Sequence, residues 1–362
     1  MTDLLIAAGG GGDPIGTALV HAGRRAAADA VVLTYGWERP SVDPLPGPLA
    51  GHDFTGLEHG TLPVPVITTD TQPVAPRGST LPRLAGHLPA KLALLDPHKG
   101  VEDLAGQIER TAHALGTDHI SVVDMGGDIL AHGDEPTLAS PLLDALVLAA
   151  CHLANVDTTV HVAGPGLDGE IPETTLLPRL TGNGAALGPA LPPWTADVLR
   201  WHPSEASTLL AAAVTGLRGP CLTRSGPLPL TDHSSRVWNL PLAKALDHNP
   251  LAQGLAESCP DSLAGARDIS LKLYGFDEVE REHRQSRRRP TTRARIDAAT
   301  FLDELDTWLH AQRATNHTTH YATVRCVVES LGYDWRLTEQ VRAALARHRP
   351  EVDAFPLVAL AD

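Results

Sequence analysis

Apolar positions along the chain fall into short unbroken runs and longer stripes at helical spacing. Leu4 to Ala8 is an apolar run that stops at Gly9-Gly10-Gly11-Gly12, and Ile15, Ala18, Leu19 and Ala22 then recur at helical spacing. This order predicts a strand, a glycine turn and a helix, with Asp13 as N-cap and Pro14 at the first helical position. Ala28 to Tyr35 reads as a second buried strand, so the chain opens with a βαβ unit and a parallel sheet. A proline-rich loop over Trp37 to Pro48 begins an irregular stretch that runs to about residue 90, with a short strand at Val64 to Thr68.

The pattern then repeats. Val101 to Leu115 predicts a helix, His119 to Val123 a strand, Leu138 to Leu153 an apolar helix, and Thr158 to Ala163 the next strand. Pro203 to Leu217 reads as a helix capped by Ser204, and Cys221 to Trp238 as a hairpin around Gly226. Leu251 to Ala256 and Ser262 to Ala266 are short helical pieces, while Phe301 to Gln312, His320 to Leu331 and Leu337 to His348 are amphipathic helices. The expected fold class is α/β: a Rossmann-like three-layer sandwich with a mostly parallel sheet and a helical C-terminal region. Residues 1–275 form the ligand-bearing core and 300–362 a helical region packing on it. Between them, 276–299 is an arginine-rich flexible linker or loop, because across 281–295 Arg281, Arg284, Arg287, Arg288, Arg289, Arg293 and Arg295 stand against only Glu282.

Composition narrows the partners. With 362 residues, 43% hydrophobic and 20% charged, the chain can bury a full core without disulfides. Lys+Arg 29 against Asp+Glu 43 gives a net charge of −14, which argues against nucleic acid as a partner. Cys151, Cys221, Cys259 and Cys326 form no C-x-x-C pair, so neither a disulfide framework nor a thiolate zinc site is expected. The N-terminus from Met1 lacks a basic region ahead of its apolar run, and no stretch reaches the roughly 18–20 apolar residues of a membrane span. The expectation is a cytoplasmic protein with a small-molecule substrate, no membrane partner, and a homodimer as the default oligomer.

Candidate chemistry clusters after the strands. Backbone N–H groups of Gly10, Gly11 and Gly12, ahead of a helix N-terminus, suit a carboxylate or phosphate. The same residues also fit a tight turn with a capped helix. A G-x-G-x-x-G spacing would need glycine at Pro14, and Asp13 places negative charge where a pyrophosphate would lie; both weigh against NAD(P). No G-K-[ST] follows, so the loop is not a P-loop. The second candidate is Asp124-Met-Gly126-Gly127-Asp128, continuing through His132-Gly-Asp134-Glu135 to Ser140 and Asp144. Clustered carboxylates hold magnesium or manganese, or shift one another's pKa for acid–base work. Gly164-Pro-Gly-Leu-Asp168-Gly-Glu170 repeats the combination, and Trp37-Glu38-Arg39 leaves the second strand at the same edge. Glu38 and Arg39 would pair with a zwitterion and Trp37 would form a wall. Weaker features are His317-x-x-His320, His161 within a strand, and Asp232-His233-Ser234. The sequon Asn316-His317-Thr318 carries no weight in a cytoplasmic chain.

Together, Gly9 to Asp13, Trp37 to Arg39 with Asp43-Pro and Pro46-Gly-Pro48, Asp124 to Asp128 through Ser140 to Asp144, and Gly166 to Glu170 resemble the domain-of-unknown-function family 1152 over roughly residues 3 to 275. The resemblance implies an α/β protein of bacteria and archaea with no assigned chemistry, and leaves the arginine-rich segment unmatched. The glycine loops after sheet strands are also similar, at the level of fold, to the D-glutamate cyclase family. The function expected from the residues is an enzyme acting on a small polar, amino-acid-like metabolite. It would make or break a C–N or ester-type bond by cyclisation, elimination or hydrolysis. Gly10, Gly11, Gly12 and Asp13, with Trp37, Glu38, Arg39, Gly126, Gly127, Ser140 and Asp144, would bind substrate. Asp124, Asp128, Asp168 and Glu170 would carry catalysis, and Asp13, Asp124 and Asp128 would hold any magnesium or manganese. The alternatives are a non-catalytic nucleotide or metabolite sensor and an NAD(P)-dependent oxidoreductase.

Overall fold

A computed structural model describes residues 2–25, 29–188, 190–288, 291–315 and 318–360; Met1, Ala28, Arg289, Asn316 and His317 lie outside the described residues. Strand β1 (Asp3–Ala7) passes through the glycine loop into α1 (Asp13–Arg25) and β2 (Ala30–Tyr35). An excursion holding β3 (Phe54–Thr55), β4 (Val66–Ile67), β5 (Gln72–Pro73) and α2 (Leu81–Ala85) follows. Next come β6 (Lys91–Leu95), α3 (Gly100–Leu115), β7 (His119–Met125), α4 (Pro141–Ala154) and β8 (Asp157–Ala163). Short α5 (Glu173–Leu176), β9 (Ala185–Ala186) and α6 (Pro193–Leu199) lead to α7 (Glu205–Val214). A hairpin, β10 (Gly219–Thr223) and β11 (Gly226–Leu230), precedes β12 (Arg236–Pro241). Four helices follow: α8 (Leu242–His248), α9 (Pro250–Ser258), α10 (Leu263–Tyr274) and α11 (Glu278–Arg287). The chain ends with α12 (Ala298–Thr315), β13 (Tyr321–Thr323), α13 (Val324–Ser330), α14 (Thr338–His348), β14 (Asp353–Ala354) and β15 (Leu357–Ala359).

The fold is mixed α/β around a large, mostly parallel central sheet of order β4-β6-β2-β1-β7-β8-β12-β9. The run from β6 to β8 is parallel, and β4 and β12 add antiparallel edges. Period-two alternation sorts the core. In β1, Leu4 and Ile6 join the cluster under α3 and α4, while Leu5 and Ala7 join the cluster under α1 and α7. The chain leaves β1 toward β2 on one side and returns through β7 on the other. That reversal opens a crevice at the carboxyl ends of β1 and β7, where open α/β sheets bind ligands.

One strand lies where none was expected, and three expectations change. Residues 91–95 form a central strand, although their Leu/Ala composition carries no strand signature; pairing with Val31 to Tyr35 on one side and β4 on the other decides it. The C-terminal region is not purely helical, because β13, β15 and β14 extend the β10–β11 hairpin into a second, five-stranded sheet. Accordingly Tyr321 to Thr323, expected within a helix, are strand, and Thr323 Oγ1 caps α13 by accepting from Cys326 N–H at 3.0 Å. Residues 278–287 of the expected linker form a capped helix: Asp277 accepts from Val279 N–H at 3.0 Å, and Glu278 and Glu282, one turn apart, are buried. Ser204 caps α7 as expected, accepting from Ser207 N–H at 3.2 Å.

Candidate functional site

The loops after β1, β2, β7 and β8 meet at the carboxyl edge of the sheet around a cavity of about 930 Å³. Gly10, Gly11, Gly12, Asp13, Trp37, Glu38, Arg39, Asp128, Ser140, Asp144, Asp168 and Glu170 all line it. Asp124, Gly126 and Gly127 do not line it. Asp124 lies buried at the end of β7, a Cβ on Gly126 would meet Asp168 Cγ at 2.2 Å, and one on Gly127 would meet the side chain of Leu176.

The glycine loop is built for close approach. A Cβ on Gly10 would stand 2.1 Å from the carbonyl oxygen of Trp37, so no larger residue fits between the first two loops. Asp13 departs from its expected role: its Oδ2 accepts from Gly9 N–H at 2.8 Å, bracing the loop instead of capping its own helix. The N–H groups of Gly10, Gly11 and Gly12 have no acceptor among the described residues.

Asp128 and Asp144, at the floor of the cavity, meet the buried Asp124 in a carboxylate cluster. One oxygen each from Asp124, Asp128 and Asp144 lies within 4.8 Å of the others. Asp124 and Asp144 are 1% and 3% exposed, and Asp124 Oδ2 and Asp144 Oδ1 have no hydrogen-bond partner among the described residues. Burial, reinforced by the neighbouring carboxylates, pushes all three carboxyls well above the usual range. Desolvation pushes Asp13 up to about 7, against the pull of the Gly9 N–H. Asp168 is pushed up to about 8 by desolvation and then by the charge of Glu170, and its Oδ2 is also unpartnered. The acids the sequence grouped as cation ligands were Asp13, Asp124 and Asp128; tertiary packing puts Asp144 in place of Asp13.

Glu170 is occupied differently from Asp168. It accepts from Ala139 N–H at 2.7 Å, Ser140 N–H at 2.8 Å, the Ser140 hydroxyl, and Arg39 at 3.4 Å. Glu278 accepts from Leu142 N–H at 3.2 Å. Glu170 from the loop after β8 and Glu278 from α11 therefore satisfy donors at the N-terminus of α4, where Ser140 stands at the cap position without a side-chain cap bond. Arg39 links them: it donates to Ser140 Oγ at 2.7 Å and lies 3.9 Å from Glu278 and 3.8 Å from Glu282. Trp37 is 5% exposed and donates through Nε1 to Glu282 at 2.6 Å, so it anchors α11 and does not offer a free face. Glu38 Oε1 accepts from both Thr80 N–H and its hydroxyl at 2.6 Å, and burial raises its pKa.

Several lining residues went unassigned in the sequence: Arg224, Arg281, Arg288 and Arg325, with His202 and Ser204. The arginine run was visible, but the i, i+4 pair Glu278 and Glu282 was the signal that its first half is a docked helix. Other candidates are structural. His132, Asp134 and Glu135 lie together, but Glu135 is held by Arg179 at 2.6 Å and by the N–H groups of His132 and Gly133. His161 is buried and bonded to Asn239 at 2.7 Å. In Asp232-His233-Ser234 the aspartate pairs with Arg218 at 3.0 Å and the serine accepts from Thr231 N–H at 2.9 Å, so no triad forms. His320 packs against Gly219.

A family model described as "Protein of unknown function (DUF1152)" matches residues 4–286. The chain belongs to the DUF1152 family. No curated protein and no solved structure matches it. The DUF1152 match includes all four strand-end loops and runs beyond residue 275, taking in Arg281, Arg284 and nearly all of α11. The strap over the cavity thus belongs to the DUF1152 region and is not an appendage to it. Among the described residues, no helix is long and apolar enough to cross a membrane.

Proposed function

We propose that this chain is a divalent-metal-dependent enzyme acting on a small, polar, negatively charged metabolite in the cavity at the carboxyl edge of the sheet. The observation that carries the reading is the buried triplet Asp124, Asp128 and Asp144, with two carboxylate oxygens unpartnered. Buried charges persist when paired or metal-bound, and an all-oxygen donor set suits magnesium or manganese. These three residues would hold the ion, with Asp13 beside them. A bound ion would supply Lewis-acid stabilisation of charge developing on a substrate oxygen.

The remaining residues have distinct tasks. Asp168, at the cavity wall with a free oxygen and a pKa near 8, is suited to carry a proton to or from the reacting group. Glu170, saturated by four donors, positions Ser140 and Arg39 instead. This combination fits hydrolysis, elimination or cyclisation at a C–N or ester-type bond. A cavity of about 930 Å³ admits a ligand larger than a single amino acid. The order of the parallel strands, with helices on both faces, supports a Rossmann-like three-layer reading. The four free cysteines fit a reducing compartment, consistent with a cytoplasmic location.

Native mass spectrometry before and after chelation, followed by reloading with Mn²⁺, tests the proposal. Wild-type protein should carry a divalent ion that chelation removes, and Asp128→Asn with Asp144→Asn should fail to reload. A wild-type chain that takes up no divalent ion would overturn the reading. With a substrate found by metabolite screening, Asp168→Asn should keep Mn²⁺ and lose about 100-fold or more in kcat. Binding without turnover in the wild type would instead leave a metabolite sensor.

A further inference from the structure

We propose that the cavity recognises a phosphoryl-bearing ligand, held as its divalent-metal complex between the acidic floor and an arginine rim. This rests on the metal reading above and adds the substrate class. The cavity carries both signs of charge. Asp128 and Asp144 line its acidic part, whereas Arg224 from the β10–β11 turn, Arg281 and Arg288 from α11 and its end, and Arg325 from α13 line another part together with Glu205, Glu278 and Glu329.

Of these four guanidiniums, only those of Arg224 and Arg325 have an ion-pair partner among the described residues. Arg325 is fixed by Glu329 at 2.9 Å and by Ser41 and the Pro203 carbonyl. The same Glu329 lies 3.7 Å from the Arg224 guanidinium, Glu205 accepts from the Arg224 backbone N–H at 3.1 Å, and Arg224 is half exposed. Arg281 spends one nitrogen on the Ala139 carbonyl at 2.8 Å. The guanidinium of Arg288 has no partner among the described residues. One glutamate thus serves two arginines, and two further guanidiniums keep donors for a ligand.

A single carboxylate would satisfy one guanidinium fork. Several forks, facing each other across a cavity with a metal-binding floor, match a ligand whose many oxygens serve cation and guanidinium together. Phosphoryl and diphosphoryl groups have that chemistry. The free N–H groups of Gly10, Gly11 and Gly12, ahead of the 13-residue α1, add neutral donors of the kind phosphates use. The ion on the floor offsets the Asp13 charge that would repel a bare phosphate.

Equilibrium dialysis of radiolabelled inorganic pyrophosphate against the full chain tests this, with and without saturating Mn²⁺. Wild-type protein should retain pyrophosphate when Mn²⁺ is present. Arg224→Glu with Arg288→Glu, both changes at solvent-accessible positions, should keep Mn²⁺ binding and weaken pyrophosphate about tenfold or more. A Mn²⁺-loaded wild type that ignores pyrophosphate, or binds succinate equally well, overturns the proposal while leaving the metal reading intact. Unchanged pyrophosphate affinity in the charge-reversed variant overturns it too. If Mn²⁺ itself does not bind, the metal reading fails and this proposal falls with it.

Discussion

Trp37 Nε1 donates to Glu282 Oε2 at 2.6 Å, joining two residues 245 positions apart in a buried contact. Gly47 N–H approaches the same oxygen at 3.4 Å, and Ser286 donates to the Pro44 carbonyl at 3.0 Å. The strap α11 is therefore pinned to the loop after β2, directly over the cavity. Trp37→Phe removes the donor and leaves the buried carboxylate short of one hydrogen bond. It should cost about 1–3 kcal/mol in chemical denaturation. Amide exchange should rise first within 278–287; unchanged exchange there would show that other contacts hold the strap.

The acid floor trades stability for binding. Asp124, Asp128 and Asp144 repel one another without a cation, so neutralising one should relieve the metal-free fold. Asp128→Asn is expected to stabilise the metal-free chain by roughly 1–2 kcal/mol at pH 8. It should also weaken Mn²⁺ at least about tenfold. Thermal melts with and without Mn²⁺ read both effects, and a variant destabilised in the metal-free state would contradict the repulsion.

Proton linkage gives the cluster a pH signature. Asp13 and Asp168 titrate near 7 and near 8 in the folded chain, and an unfolded aspartate near 4. Between those values the native state holds protons that the unfolded state has released. Their contribution to stability is complete at low pH and is lost as pH rises through 7 and 8. Metal-free protein should melt progressively lower over that range. Negative charge on Asp13 and Asp168 favours a cation at the neighbouring Asp124, Asp128 and Asp144, so Mg²⁺ affinity should increase over the same interval. A flat melting temperature from pH 5 to 9 in chelator would refute this.

Gly126 holds a backbone conformation at φ +117°, and a Cβ there would meet Asp168 Cγ at 2.2 Å. Gly126→Ala should cost about 1–3 kcal/mol in strain and push Asp168 out of place. Calorimetry checks the first effect. A fall in kcat with Mn²⁺ affinity retained checks the second.

The chain's local patterns determined much of this protein. Unbroken apolar runs ending in glycine, followed by helical stripes, specify β1-α1-β2 and β7-α4-β8, since periodicity and turn residues act over a few positions. Those loops carry Gly10 to Asp13, Asp128, Asp144 and Asp168, and parallel strands necessarily deliver them to one edge. Tertiary structure decided what depends on distant partners. Lys91 to Leu95 becomes a strand because β2 and β4 flank it, and Tyr321 to Thr323 because β10 and β15 do. Glu170, which looked like an acid–base group, is consumed by the first donors of α4. Asp144 stands with Asp124 and Asp128 in the carboxylate triplet, where the sequence suggested Asp13, because helix packing sets which oxygens approach within 4.8 Å. The arginine-rich segment docks as α11 because Trp37, Arg39 and Gly47 receive its two buried glutamates. Hydrogen bonds and charge contacts across some 240 residues leave no trace in local spacing, so only the folded chain reveals them.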